Sequence, residues 1–138
     1  MPVSREQGQG RTGWCDDRGS AVAEFTLVGA LLTVLTLSVL QLALTLHIRN
    51  TTLDAAAEGA RYAALADNSA ADGVQRTRDL ISLAIGADYA DDVTASSGAW
   101  AGHPAVAVTV RTTLPLFGLV GVDGGLEVTG HAAVETLD

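Results

Sequence analysis

The 138-residue chain contains no lysine and one cysteine, and it lacks the short motifs that bring nucleophile, phosphate or metal chemistry. All eight basic residues are arginine, set against sixteen acids, for a net charge of −8. From residue 47 onward five arginines face twelve Asp or Glu, a net of −7. So acidic a surface is a poor match for nucleic acid, which rewards clustered basic residues, and none is expected as a partner. Cys15 stands alone ahead of a long apolar run, which excludes an intramolecular disulfide and a cysteine-built zinc site. Palmitoylation or redox chemistry can be imagined for it, but a lone thiol in a polar leader is usually neither. His47, His103 and His131 are far apart and show no metal-ligand spacing. There is no G-x-S-x-G elbow, no phosphate loop and no paired acid in an apolar pocket. Glu58 and Glu127 have no visible partner that would make either a general base. The expectation is a protein without catalysis, cofactor or metal.

What is present begins with residues 21–46, an apolar run of 26 residues in which Glu24 is the only ionisable side chain. As one helix it would reach roughly 39 Å, enough to cross a bilayer. Residues 1–19 are polar, rich in Gly, Arg and Asp, and read as a disordered leader. They do not form an ordinary secretory signal, in which a short apolar stretch precedes the cleavage site. Arg5, Arg11 and Arg18 precede the run and Arg49 and Arg61 follow it, a bias that favours a cytoplasmic N-terminus. The expected organisation is a leader (1–19), a transmembrane helix (20–46) and an extracytoplasmic domain (47–138).

The helix is expected to continue past the membrane, since residues 50–67 are alanine-rich and free of proline. Continuous from residue 20 to 66, it would span roughly 70 Å. Glu58 and Arg61 are spaced to pair on its surface. Ala55, Gly59 and Ala63 make a small-residue stripe that packs either on its own domain or on another subunit, and the two are not exclusive. Asn50-Thr51-Thr52 is a formal glycosylation sequon close to the bilayer. Asp67-Asn68-Ser69 breaks the pattern. A second helix is predicted over residues 72–85, with Val74, Leu80, Ile81, Leu83, Ala84 and Ile85 on its apolar side and Gly86 as its stop. Asp88, Asp91 and Asp92 match no calcium-loop spacing and read as a solvated turn.

The last third alternates as strands do. Val106, Val108 and Val110 interleave with Ala107, Thr109 and Arg111, and Leu126, Val128, Ala132 and Val134 with Glu127, Thr129, His131 and Glu135. A shorter strand is predicted near Val93. Between the two main strands lies Leu114-Pro115-Leu116-Phe117-Gly118-Leu119-Val120-Gly121, an apolar loop ending in the turn signal Asp123-Gly124-Gly125. Such a loop is either tucked against the domain or a docking surface, burial being the simpler reading. The expected fold class is α+β: a long N-terminal helix extending into a small head with a second helix and a short antiparallel sheet.

Glu24 can be read as an interfacial acid near a helix start, where the dipole favours negative charge. Ser20 and Glu24 are four apart, so a reciprocal capping box, which needs three, does not explain it. The run Arg18-Gly19-Ser20-Ala21-Val22-Ala23-Glu24-Phe25 resembles the processing site of type IV pilin precursors. The resemblance implies cleavage between Gly19 and Ser20 by a prepilin peptidase, making Glu24 and Phe25 the fifth and sixth residues of the mature chain. It also implies that Glu24 pairs with the freed N-terminus of a neighbouring subunit and fixes the register between helices in the membrane. An acid and an ammonium, each costly alone in lipid, can neutralise one another.

Asp54-Ala55-Ala56-Ala57-Glu58-Gly59-Ala60-Arg61-Tyr62-Ala63-Ala64 resembles the A-x-E-G-A-R-Y-A-A segment of TadE-like proteins, small pseudopilins of the tight-adherence (Flp-type) pilus machinery. In that segment Glu58, Gly59, Arg61 and Tyr62 carry the likeness. The resemblance implies a minor pseudopilin, a structural or assembly subunit of such a pilus. Its partners would be membrane lipid, a prepilin peptidase, other pilin or pseudopilin subunits and the assembly machinery. It would sit in the cytoplasmic membrane as a single-pass protein, open to incorporation into a surface pilus. The main alternative is an anchored extracytoplasmic binding module that never assembles and keeps its leader. A membrane-tethered hydrolase is more remote, for want of a nucleophile-and-base pairing.

Overall fold

A computed structural model of the chain describes residues 1–2, 16–116 and 120–135, with only the backbone described for 16–17, 115–116 and 120–124. The chain divides into two compact units, Met1–Val39 and Leu40–Asp138. Cys15 and most of the leader lie outside the described residues, as do Phe117, Gly118 and Leu119 of the apolar stretch.

Helix α1, Asp16–Ala64, has 49 residues and runs without interruption through the apolar segment and past it. The expected continuation beyond the run is present. The helix begins four residues ahead of Ser20. Within residues 21–46 the apolar side chains face outward all round, as Val22, Phe25, Leu31, Leu35, Leu40 and Leu46 illustrate, so no face is set aside for a core. An 18-residue window reaches a mean hydropathy of 2.2 and none of it is buried. The hydroxyls of Thr26, Thr33, Thr36, Ser38 and Thr45 each donate to the carbonyl four residues back, at 2.8–3.0 Å. Hydroxyls satisfied on their own backbone remove the main cost these residues would carry in hydrocarbon. The helix is long and apolar enough to cross a membrane.

The C-terminal unit is built on the last third of the same helix. Ile48, Thr52, Ala55, Ala56, Ala60, Ala63 and Ala64 are buried there. Burial of Thr52, whose hydroxyl donates to the Ile48 carbonyl at 2.7 Å, takes the sequon into packed helix.

Helix α2, Ala70–Ala84, starts at a capping box. Ser69 Oγ accepts the Asp72 N–H at 3.3 Å, and Asp72 Oδ2 accepts the Ser69 N–H at 2.8 Å. The exchange satisfies orphan donors at both positions. Its stop is at Gly86, as expected: the Ile85 and Gly86 N–H groups both donate to Ile81, at 2.9 and 3.2 Å, and Gly86 takes a φ of 117°. A 3-10 turn, Ala87–Tyr89, leads into the sheet, with Asp88, Asp91 and Asp92 exposed around it.

Three antiparallel strands follow in the order β1-β2-β3: β1 Asp92–Trp100, β2 His103–Leu116 and β3 Val120–Ala133. The unit is α+β. Strand β1 is longer than the short strand expected near Val93, because Ala101-Gly102 closes a two-residue hairpin with φ of 51° and 84°. Both positive values belong to the mirror-image turns that match strand twist. The register pairs Val110 with Val128, Val108 with Gly130 and Val106 with Ala132. One face of the sheet therefore carries the valines into the core, while the other carries Thr109 bonded to Thr129 at 3.0 Å and Arg111 to Glu127 at 2.8 Å. The alternation read from the sequence holds for residues 106–110 and 126–128. Val134 lies beyond β3 and is exposed.

Two expectations are corrected between β2 and β3. The apolar stretch is not one long loop, since Leu114, Pro115 and Leu116 pair with Val122, Gly121 and Val120. Asp123-Gly124-Gly125 is not a turn but lies inside β3, where these three residues face the single residue Thr113 of β2, between the pairs Thr112 with Leu126 and Leu114 with Val122. Turn-forming residues here absorb a bulge. Pro115 is tolerated because β1 pairs no further along β2 than Arg111, which leaves that side of Pro115 without a ladder partner.

Candidate functional site

Arg18, Gly19 and Ser20 lie exposed in the first turns of α1. A Cβ placed on Gly19 would meet nothing within 4 Å among the described residues. Glu24 and Phe25 are exposed one turn further on, and neither of the two salt bridges among the described residues involves Glu24. An acid in this position is a carboxylate on an otherwise apolar surface.

The second candidate segment, residues 54–64, divides into two faces. Its small residues are buried against the rest of the C-terminal unit. A Cβ on Gly59 would stand 2.7 Å from the Gly73 carbonyl oxygen, and one on Gly73 would stand 2.6 Å from the Gly59 carbonyl oxygen and 2.6 Å from the Ala63 Cβ. Thr77 Oγ1, which donates to the Ala55 carbonyl at 3.3 Å, would collide with a Gly59 side chain. On the sheet side, a Cβ on Gly130 would stand 2.5 Å from the Ala56 carbonyl carbon. Helix and strand touch backbone to backbone there, which only glycine permits. The Ala55, Gly59 and Ala63 stripe thus packs on α2 of its own chain.

The polar residues of the segment point away from that contact. Glu58 and Arg61 form the expected ion pair at 3.8 Å, both substantially exposed. Tyr62 is 40% exposed, and its carbonyl accepts a hydrogen bond from Asn68 Nδ2 at 2.8 Å. Thr51, Asp54, Glu58 and Arg61 line one side of an open groove completed by Leu80 and Ala84 of α2. So exposed a pair is worth little to stability. Glu58, Arg61 and Tyr62 share a helix face that the fold does not consume.

The family model described as TadE-like protein matches residues 19–61. Over that segment the chain is similar to TadE-like proteins. The match opens at Gly19 and closes at Arg61, so it contains Ser20, Glu24, Phe25, Glu58 and Gly59 and stops one residue short of Tyr62. No curated protein and no solved structure gives a match. The matched segment lies wholly within α1; α2 and the sheet are outside it.

Several residues escape a reading of the sequence alone. The Ser69-x-x-Asp72 box was available as a pattern. Gly73, a glycine inside a helix, was a signal of close approach. Gly130, and the stacking of Trp100 on His131 with ring centres 5.5 Å apart, depend on strand register and carry no local signal. His131 itself is on the outward face, as expected.

Proposed function

We propose that this chain is a minor pseudopilin-type subunit, processed at Gly19 and used in building a tight-adherence (Flp-type) pilus or a related secretion pilus. The family match supports a Tad-pilus-associated protein in general. The finer reading rests on one observation: a glycine with no contact that requires it among the described residues, five residues ahead of an acid that has no salt bridge among them, in a helix otherwise fit for lipid. A glycine inside a helix costs about 0.5–1 kcal/mol relative to alanine. Among the described residues Gly19 touches nothing that would require it, so its use is looked for outside the chain, in a peptidase that needs a small residue at the scissile bond. Cleavage there creates an ammonium at Ser20. Glu24 of a neighbouring copy is then the group that neutralises it, as both would be too costly alone in hydrocarbon.

In this reading α1 anchors the chain with its C-terminal unit on the extracytoplasmic side, and no catalysis is assigned to it. The exposed face of Glu58, Arg61 and Tyr62 is the surface offered to other pilus components. The test is Glu24→Gln. Normal membrane insertion with loss of pilus assembly is expected, whereas full assembly would favour a tethered module that never enters a fibre.

A further inference from the structure

Two elements of the C-terminal unit run down α1 toward the end of its apolar run. Helix α2 is antiparallel to α1: Gly73 lies against Ala63, Thr77 bonds to Ala55, and Leu80 and Ala84 share a groove with Thr51. Strand β3, read backwards, follows the same course. The Glu135 N–H donates to the Ala64 carbonyl at 3.0 Å, and Gly130 rests on the backbone of Ala56 and Ala57. Further on, Leu126 and Val128 share a core with Ile48, against which Leu114 and Ile85 also pack.

Those contacts set a pitch. The five residues from Glu135 to Gly130, the end of β3 and the two residues after it, cover roughly 16 Å of chain, matched by about 11 Å of helix. Because of the bulge, the span from Gly130 to Val120 matches only eight residues of β2, Val108 to Leu116, and the same pitch carries this end about 18 Å along α1, level with residues 43–46. That part of α1 exposes Leu44 and Leu46, and Leu40 and Leu42 are exposed in the turn before it. Residues 112–122 carry no charge and include Leu114, Leu116, Val120 and Val122. On the last full turn of α2, Leu83 is 88% exposed, the most exposed large apolar side chain described in this unit.

We infer that the paired ends of β2 and β3, with Leu83 of α2, rest in the surface of the bilayer that α1 enters. The occupant is lipid because the paired strand ends, uncharged in sequence, come level with an apolar surface that α1 already presents. The acids nearby, Asp88, Asp91 and Asp92, would repel anionic headgroups, so the contact is apolar and does not need a charged lipid. This inference rests on the proposed membrane insertion of α1, and the experiment separates the two.

The full chain with Cys15→Ser is reconstituted in phosphatidylcholine vesicles carrying a single fluorescent label at Leu116→Cys, Leu83→Cys, Leu31→Cys or Ser97→Cys. Brominated phosphatidylcholine is expected to quench the labels at 116, 83 and 31 several-fold more than the label at 97, which lies on an exposed strand near the opposite end of the sheet. Quenching at 31 but not at 116 or 83 overturns the inference and leaves the insertion of α1 standing. No quenching at 31 overturns the insertion itself, and the inference with it. Labels at 116 and 83 shielded from both lipid and an aqueous quencher, with energy transfer between copies, give the surface to a second chain and likewise overturn it.

Discussion

Gly59 of α1 and Gly73 of α2 face each other so closely that a methyl on either would stand within 2.7 Å of the other's carbonyl oxygen. A residue that resemblance marks as part of a family segment thus has a duty inside this chain. Gly59→Ala is expected to destabilise the C-terminal unit by about 1–3 kcal/mol, the usual cost of overpacking, less the gain of about 1 kcal/mol in helix propensity. Gly98→Ala, where a Cβ meets nothing within 4 Å, is the control and should leave stability unchanged. Denaturant unfolding of the full chain in detergent, followed by circular dichroism, reads both. Equal midpoints for the two variants would remove the close-approach argument.

Gly130 is held by backbone, and backbone gives less than a side chain does. Its neighbours are the main-chain atoms of Ala56 and Ala57, with no rotamer available to relieve a clash. Gly130→Val should therefore detach the sheet from α1 while leaving the apolar helix inserted. Limited proteolysis of membrane vesicles checks this: the variant should lose protection across β1 to β3, and the wild type should not.

The capping box at the start of α2 makes stability depend on pH in a defined direction. Asp72 accepts hydrogen bonds from the Ser69 hydroxyl and the Ser69 N–H, and these hold its carboxyl below the ordinary value of 3.8. Its contribution is complete above the unfolded-state value and is lost as pH falls through the lower folded value. Wild type should lose stability as pH drops below about 4 more steeply than Asp72→Asn does. The measurement is the unfolding midpoint of each across that window. Ser69→Ala, which removes the cap itself, should cost about 1 kcal/mol at neutral pH.

The elements were legible where a single period governs them. The long helix follows from an unbroken apolar run continued by alanine, and the inward valines of β2 from strict alternation. Helix α2 was found to within two residues at its start and one at its end, because Asp67-Asn68-Ser69 and Gly86 punctuate it. The hairpin end was misread because Asp123-Gly124-Gly125 spells a turn locally, while the pairing that turns it into a bulge is set by partners on β2. The role of Gly130 was invisible for the same reason: nothing near it in sequence points to the backbone of Ala56. At the candidate site, the run from Arg18 to Phe25 is a pattern of residue order along one exposed helix, and no contact among the described residues bears on it. Whether the Ala55, Gly59 and Ala63 stripe faced inward was not legible, since a small-residue face is the same pattern for either use.

Processing should depend on the size of the residue at 19. Gly19→Leu is expected to insert normally and to remain at full length when the chain is co-expressed with a prepilin peptidase. The unsubstituted chain should become shorter by the first nineteen residues. Gel mobility of an epitope-tagged C-terminus separates the two outcomes.

The most direct test is the intact mass and N-terminal peptide of the chain recovered from its native envelope. A chain beginning at Ser20, with Glu24 as its fifth residue, is the predicted result. A chain still beginning at Met1 would contradict it, since Glu24 would then have no new ammonium to meet.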